Sequence, residues 1–218
     1  MLHPVVLRKT SFIDFPGLIS AVIFFPGCNL RCPWCCNREL VLKTADCIAL
    51  DHALDHIVKR RRLLGGVVLS GGEPTLFAGL GAVIKQIKAI GLQVKLDTNG
   101  LLPGVLEALC ISKDTTPDYI AMDVKTAPKR YWELLSQNNA KTPDPAQALE
   151  RSISLLRSLG IPHEFRSLKL PVMPLSYFGE TEKAVLAELI QDSPWNIRPF
   201  MAGNCLDPAW DMYETSIE

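Results

Sequence analysis

Residues Gly66–Gly100 read GVVLSGGEPTLFAGLGAVIKQIKAIGLQVKLDTNG. Gly66–Ser70 is a continuous apolar run of strand length. Leu80–Ile90 sets Leu80, Val83, Ile84 and Ile87 on one helical face, and Gly91 supplies a stop. Leu92–Asp97 then returns as a second strand. A strand–helix–strand passage of this kind makes its strands parallel neighbours, with the helix packed outside the sheet.

The same alternation extends in both directions. Ala21–Phe25 (AVIFF) reads as an earlier buried strand. Leu50–Arg61 reads as a helix with Leu50, Ala53, Leu54, Ile57 and Val58 on its buried face. Pro103 opens a short helix to Cys110, a position that suits proline. Asp118–Asp123, His163–Leu170 and Asn196–Pro199 are further strands, and Pro145–Leu159 and Glu180–Ile190 further helices. Gln137–Pro145 (QNNAKTPDP) is polar and reads as a surface loop. About six strand–helix units imply an α/β fold with parallel strands and outer helices. A partial (β/α)6 TIM-like barrel fits that count, as does an open doubly wound sheet. The length of 218 residues suits a single domain over 1–218.

Lysine plus arginine and aspartate plus glutamate each total 23, so the formal net charge is zero. That balance points to neither a nucleic-acid nor a membrane partner. The run Lys59–Arg62 ends a helix, where cations suit the dipole. The N-terminal MLHPVVLRKT lacks the apolar core of a signal peptide, and no stretch approaches the ~20 apolar residues of a membrane span. A cytoplasmic protein is expected, and with it reduced thiols for its seven cysteines. Cys47, Cys110 and Cys205 are solitary and read as small core residues. The four histidines show no ligand spacing.

In both candidate architectures ligands bind at the C-terminal ends of the strands. The unusual motifs collect there. The first strand runs into Gly27–Asn37, GCNLRCPWCCN, which holds Cys28, Cys32 and Cys35. Thiolates favour zinc or iron–sulfur clusters. A structural zinc site needs four ligands, which Cys36 or a remote residue would have to complete. Three thiolates on one loop would instead leave one iron of a cubane open for chemistry. The next strands end in Gly71–Gly72–Glu73–Pro74, in Asp97–Thr98–Asn99–Gly100 and in Asp123–Val124–Lys125, and the fifth carries Arg166. Asp123 and Lys125 alternate with Val124, so they project to one side.

Cys-x3-Cys-x-aromatic-Cys, with Trp34 as the aromatic, resembles the signature of the radical S-adenosylmethionine (SAM) superfamily. The resemblance implies one [4Fe–4S] cluster held by Cys28, Cys32 and Cys35. In that family the open iron chelates the amino and carboxylate groups of SAM, and one electron releases a 5′-deoxyadenosyl radical. Gly71–Gly72–Glu73 resembles the family's GGE motif, which binds the methionine ammonium. Asp97 and Asn99 in LDTNG resemble a segment of glycyl-radical-enzyme activating enzymes, and Asp123 and Lys125 in AMDVK resemble their next motif. In the resembled family the region of Asp123 and Lys125 lies beside SAM and can help form a monovalent-cation site. Arg166 matches the fifth-strand arginine, and Arg198 is a secondary candidate. The resemblance implies no catalytic residue beyond the cluster and SAM.

Thr10–Gly17 (TSFIDFPG), together with FPGCNLRCPWC, LSGGEPTL, LDTNG and AMDVK, resembles activating proteins of anaerobic ribonucleoside-triphosphate reductase, which are similar to pyruvate formate-lyase activating enzyme. This similarity runs from about Thr10 to Phe200. It implies a glycyl-radical enzyme as partner and a flavodoxin- or ferredoxin-type electron donor. The chain departs from the family pattern at Cys36, where histidine is common, and at Ser167–Leu168–Lys169, where threonines are common. Two other readings stand beside it. One is a radical SAM enzyme acting on a small molecule, of the 7-carboxy-7-deazaguanine synthase type. The other is a non-enzymatic zinc or iron–sulfur module.

Overall fold

The computed structural model describes residues 3–135, 144–171 and 177–213. Its strands are β1 (Pro4–Ser11), β2 (Ser20–Phe25), β3 (Ile48–Ala49), β4 (Gly66–Gly71), β5 (Gln93–Thr98), β6 (Tyr119–Asp123), β7 (His163–Lys169) and β8 (Trp195–Pro199). Helices α1 (Arg38–Leu42), α2 (Leu50–Arg60), α3 (Leu80–Ala89), α4 (Pro103–Leu109), α5 (Pro145–Ser158) and α6 (Glu180–Ile190) alternate with them. The strands form one sheet in the order β3-β1-β2-β4-β5-β6-β7-β8. The pairs β2–β4, β4–β5 and β7–β8 are parallel. The expected α/β class, with a mostly parallel sheet and intervening helices as in a partial (β/α)6 barrel, is the one found.

Every strand and helix read from sequence is present to within a residue or so at its ends. Two strands were not foreseen. β1 pairs antiparallel with β2, Val6 opposite Phe24 and Ser11 opposite Ser20, and the two-residue β3 pairs antiparallel with the start of β1. The sequence of β1, PVVLRKTS, starts on proline and carries adjacent cations, so its apolar pattern is broken. As the first member of an antiparallel pair with β2 it needs no crossover helix to mark it.

Backbone contacts divide the chain into two compact units. The first takes in Met1–Cys28, Glu39–Thr98 and Val105–Ile120. Its sheet is apolar on both faces, Ala21, Val22 and Ile23 on β2 and Val67, Val68 and Leu69 on β4, as buried parallel strands require. α3 buries Leu80, Val83, Ile84 and Ile87, the face read from sequence. α2 buries Leu50, Ala53 and Ile57, but Val58, expected on that face, is exposed.

The second unit takes in Asn29–Arg38, Asn99–Gly104 and Ala121–Glu218. Its helices bury Ala148, Leu149, Ile153 and Leu156 from α5 and Leu186 and Ile190 from α6. Asp144 caps α5 by accepting from the Ala146 amide at 3.0 Å, with Pro145 in the first turn. Most of the expected surface loop at Gln137–Pro145 lies outside the described residues. Among the described residues, no helix is long and apolar enough to cross a membrane.

Candidate functional site

In the first unit, the end of β4 is locked to the chain leaving β2. The Gly72 amide donates to Phe25 O at 2.9 Å, and the Glu73 amide to Gly27 O at 2.8 Å. A Cβ on Gly71 would lie 2.4 Å from the Phe25 backbone, and one on Gly72 would lie 2.1 Å from Gly27 O. Gly71 also has φ +128°, and Gly27 has φ +95°. Both glycines of the Gly-Gly-Glu turn are therefore required by contact with the backbone that leads into Cys28.

Glu73 is 1% exposed. Its Oε1 accepts from the Thr75 amide at 3.1 Å, the Thr75 hydroxyl at 2.5 Å and the Thr98 hydroxyl at 2.8 Å. The carboxylate caps the short turn Pro74–Leu76 and ties the end of β4 to the end of β5. One residue before Thr98, Asp97 Oδ1 accepts from Lys95 Nζ at 2.5 Å. The two side chains share a strand face, being two residues apart on β5.

In the second unit, the cysteine loop closes a turn in which the Cys35 amide donates to Cys32 O at 3.0 Å. Cys32 is buried, Cys35 partly buried and Cys36 exposed. Trp34 is buried against Tyr177 and Trp210, with ring centroids 4.7 and 5.3 Å away. The segment after β8 holds this loop from outside. The Leu206 amide donates to Cys35 O and the Asp207 amide to Pro33 O, both at 2.9 Å. Asn99 Nδ2 donates to Asn29 Oδ1 at 2.7 Å, next to the loop's first turn.

Asp123, Lys125 and Arg166 form one charged group in this unit. Asp123 Oδ1 accepts from Arg166 Nε at 3.0 Å, and Oδ2 from Lys125 Nζ at 3.1 Å. Burial works to raise the Asp123 pKa, but the Arg166 and Lys125 charges outweigh it and hold the carboxyl at about 2. Burial works to lower the Lys125 pKa. Asp123 foremost, then Cys32, Cys35 and Tyr131, push it above its ordinary value. The Lys125 ammonium is thus electrostatically coupled to both thiols of the loop. Burial raises the Cys35 thiol pKa, against a backbone bond from Asn37 and the Lys125 charge. Tyr131 Oη accepts from the Lys125 amide at 2.9 Å.

Sequence reasoning did not single out Lys95, Thr98 or Tyr131. The spacing Lys95-x-Asp97 carried the same same-face signal that was read at Asp123-x-Lys125. Nothing local marked Thr98 or Tyr131, whose partners come from the fold. Arg198 lies on the exposed strand β8, away from the charged group's bonds. Cys205 is buried as expected, Cys110 is partly buried, and Cys47 is exposed with its thiol on Ala45 O.

The family model of the radical SAM superfamily matches residues 22–185. The chain belongs to the radical SAM superfamily. It is 37% identical over 126 residues to a protein of Methanocaldococcus jannaschii that carries the name of a glycyl-radical enzyme activating enzyme, a match covering 57% of this chain and 51% of that one. It is 35% identical over 91 residues to the 7-carboxy-7-deazaguanine synthase of Hyperthermus butylicus, covering 41% of this chain and 38% of that one. The chain thus matches about half or less of the length of these relatives. A solved structure of TYW1 with a lysine–pyruvate adduct superposes with a TM-score of 0.59 at 15% identity, covering 85% of this chain and 66% of that one. That likeness is one of fold.

Membership of the radical SAM superfamily implies a [4Fe–4S] cluster and SAM. Among the described residues, no three His, Cys, Asp or Glu side chains gather closely enough to hold a single metal ion. A cubane makes a different demand, because each thiolate takes its own iron and the sulfurs stand apart. The donor set is of the right kind. Cys32 and Cys35 come from one turn and are electrostatically coupled to one ammonium, and soft thiolates are the ligands such clusters take.

Proposed function

We propose that this chain is a radical SAM activase that generates a glycyl radical on a partner enzyme of the anaerobic ribonucleotide reductase type. In this reading residues 1–218 act as one catalytic domain, with Cys28, Cys32 and Cys35 as cluster ligands. The observation that carries it is the Lys125 ammonium, tied to Asp123 and electrostatically coupled to the Cys32 and Cys35 thiols. The similarity to the Methanocaldococcus jannaschii protein supports the choice of a protein substrate.

When bound, the cluster supplies the electron that cleaves SAM to methionine and a 5′-deoxyadenosyl radical, which takes a hydrogen atom from the partner's glycine. The chain's own work is placement. Lys125 balances the charge of the two thiolates it is coupled to. Arg166 and Lys125 keep Asp123 ionised and fixed in direction. Backbone groups of Gly71 and Gly72, with Asp97, Asn99 and Asp123, present hydrogen-bonding groups to SAM. The Glu73 carboxylate holds the ends of β4 and β5 in register through Thr98. Trp34 anchors the cysteine loop, excluding water from its inner side. A flavodoxin- or ferredoxin-type protein provides the electron, and a cytoplasmic, reducing setting suits the free thiols. A monovalent cation beside the Asp123–Lys125 region, which the resemblance implies, completes the cofactor set.

The identity with 7-carboxy-7-deazaguanine synthase favours a second reading, in which the hydrogen is taken from a small molecule. One experiment separates them. Reduced, cluster-loaded protein is mixed with SAM and with candidate glycyl-radical enzymes, and the electron paramagnetic resonance doublet of a glycyl radical is recorded. A stable doublet on one partner is expected. No doublet with any partner, with turnover of a purine-like small molecule, would favour the second reading.

A further inference from the structure

The chain after β8 builds a small structure of its own on the surface of the second unit. Residues 201–204, 207–209 and 211 are exposed, whereas Cys205 and Trp210 are buried. One carboxylate oxygen closes the segment on itself. Asp211 Oδ1 accepts from the Gly203 amide at 3.1 Å and from the Cys205 amide at 2.9 Å. Between those amides Asn204 takes φ +55°, a conformation that asparagine adopts more readily than most residues. Asp207 Oδ1 accepts from the Ala209 amide at 3.0 Å and starts the turn Pro208–Met212.

This closed segment bears on the cysteine loop at four points. Its Leu206 and Asp207 amides donate to Cys35 O and Pro33 O, the residues that flank Trp34. The Cys205 sulfur lies 3.9 Å from Trp34 O, and the Trp210 ring packs on the Trp34 ring. All four contacts fall between Pro33 and Cys35, within the turn that carries Cys32 and Cys35. The family match ends at residue 185, so membership assigns this segment no role. We infer that residues 203–211 are a clasp that holds this turn in its ligand-bearing shape, with Asp211 as the positioning residue that pins it. This rests on the reading that Cys32 and Cys35 are cluster ligands. Groups outside the ligands govern how firmly a metal centre is kept, because they fix the ligands' directions. With the clasp open, the carbonyls of residues 33 and 35 turn to water and the loop regains conformational freedom. The coupling is reciprocal, so a bound cluster favours the closed clasp as much as the clasp favours the cluster.

Cys205 reports on the clasp, since it is 0% exposed while the segment is closed. The full chain is treated anaerobically with iodoacetamide, with and without its reconstituted cluster. Labelling at Cys205 is followed by mass-spectrometric peptide mapping. Loading the cluster should slow labelling of wild-type Cys205 about tenfold. A merely structural segment would label at one rate in both forms. Asp211→Ala should label about tenfold faster at Cys205 without metal, and should lose iron to a chelator about tenfold faster when loaded. Asp211→Asn keeps an oxygen acceptor for the two amides and should restore both rates.

Wild-type Cys205 that labels equally fast with and without the cluster would overturn the inference. So would Asp211→Ala that keeps its iron as wild type does, or Asp211→Asn that behaves like Asp211→Ala. If Asp211→Ala does not fold, the wild-type comparison and Asp211→Asn still decide. A wild-type chain that takes up no iron would refute the ligand reading itself. Metal-free Asp211→Ala that labels at the wild-type rate would refute the clasp instead, so the two failures are told apart.

Discussion

Asp97 and Asp123 sit at the ends of different strands, and each has a lysine two residues away. On β5 the lysine precedes the acid and lies within the strand, 2% exposed at its side chain. On β6 it follows the acid, beyond the strand end, in a pair whose acid is 37% exposed. The first pair is closed inside its unit. The second is more open, has Arg166 as a third member and is electrostatically coupled to two thiols. Similar local spacing has thus produced a two-member counter-ion pair in one place and a three-member charged group in the other. What decides between them is whether the ammonium is inside the strand or past its end.

The sharpest way to break this contrast is to delete each acid. Asp97→Ala leaves a buried ammonium without its counter-charge and should destabilise the metal-free protein by about 3–5 kcal/mol. Asp123→Ala leaves two partly buried cations at a site whose acid is itself 37% exposed and should cost less, about 1–2 kcal/mol. Urea unfolding of both variants reads the difference, and equal losses would erase the distinction.

A smaller effect should separate the lysines. The charges of Cys32 and Cys35 act on Lys125. Lys125→Met should speed loss of iron to a chelator by about tenfold, whereas Lys95→Met should leave iron retention unchanged. Iron release followed by absorbance checks this.

The smallest effect is one of pH. The Asp123 pKa is lowered from 3.8 to about 2 in the folded chain. A lowered carboxyl stabilises the fold above its unfolded value and loses that contribution as the pH falls through its folded one. Asp123 should therefore contribute fully above about pH 4 and lose its share between about pH 4 and pH 2. Removing the strongest cation by Arg166→Met should move that loss to higher pH. Urea midpoints measured across this range in wild type and variant would show the shift, and coincident curves would contradict it.

Much of this architecture is legible in the chain's periodicity. The all-apolar runs of β2 and β4 and the stripe of α3 need only burial to be read. So do the positions of the cysteine, Gly-Gly-Glu and Asp-Thr-Asn-Gly motifs at strand ends. β1 was not legible because its cations interrupt its alternation and its pairing is set by β2. The purpose of Gly71 and Gly72 was legible only in part. Glycine signalled a close approach, but the neighbour the structure reveals is the Phe25–Gly27 backbone. Glu73 likewise reads from sequence as a ligand group, whereas its Oε1 is engaged by Thr75 and Thr98. The clamp of residues 205–207 on the cysteine loop joins positions far apart in sequence, with no local signal. Cys47 failed as a core residue because its neighbours Thr44 and Asp46 are polar and exposed and hold it at the surface.

The central claim is that three thiolates hold a cubane with one iron open to SAM. Mössbauer spectroscopy of anaerobically reconstituted, iron-57-labelled protein tests it most directly, recorded with and without SAM. The account predicts about four irons per chain, with one iron site in four changing its parameters when SAM is added. A spectrum that SAM leaves unaltered, or a Cys32→Ala protein with the wild-type spectrum, would contradict it.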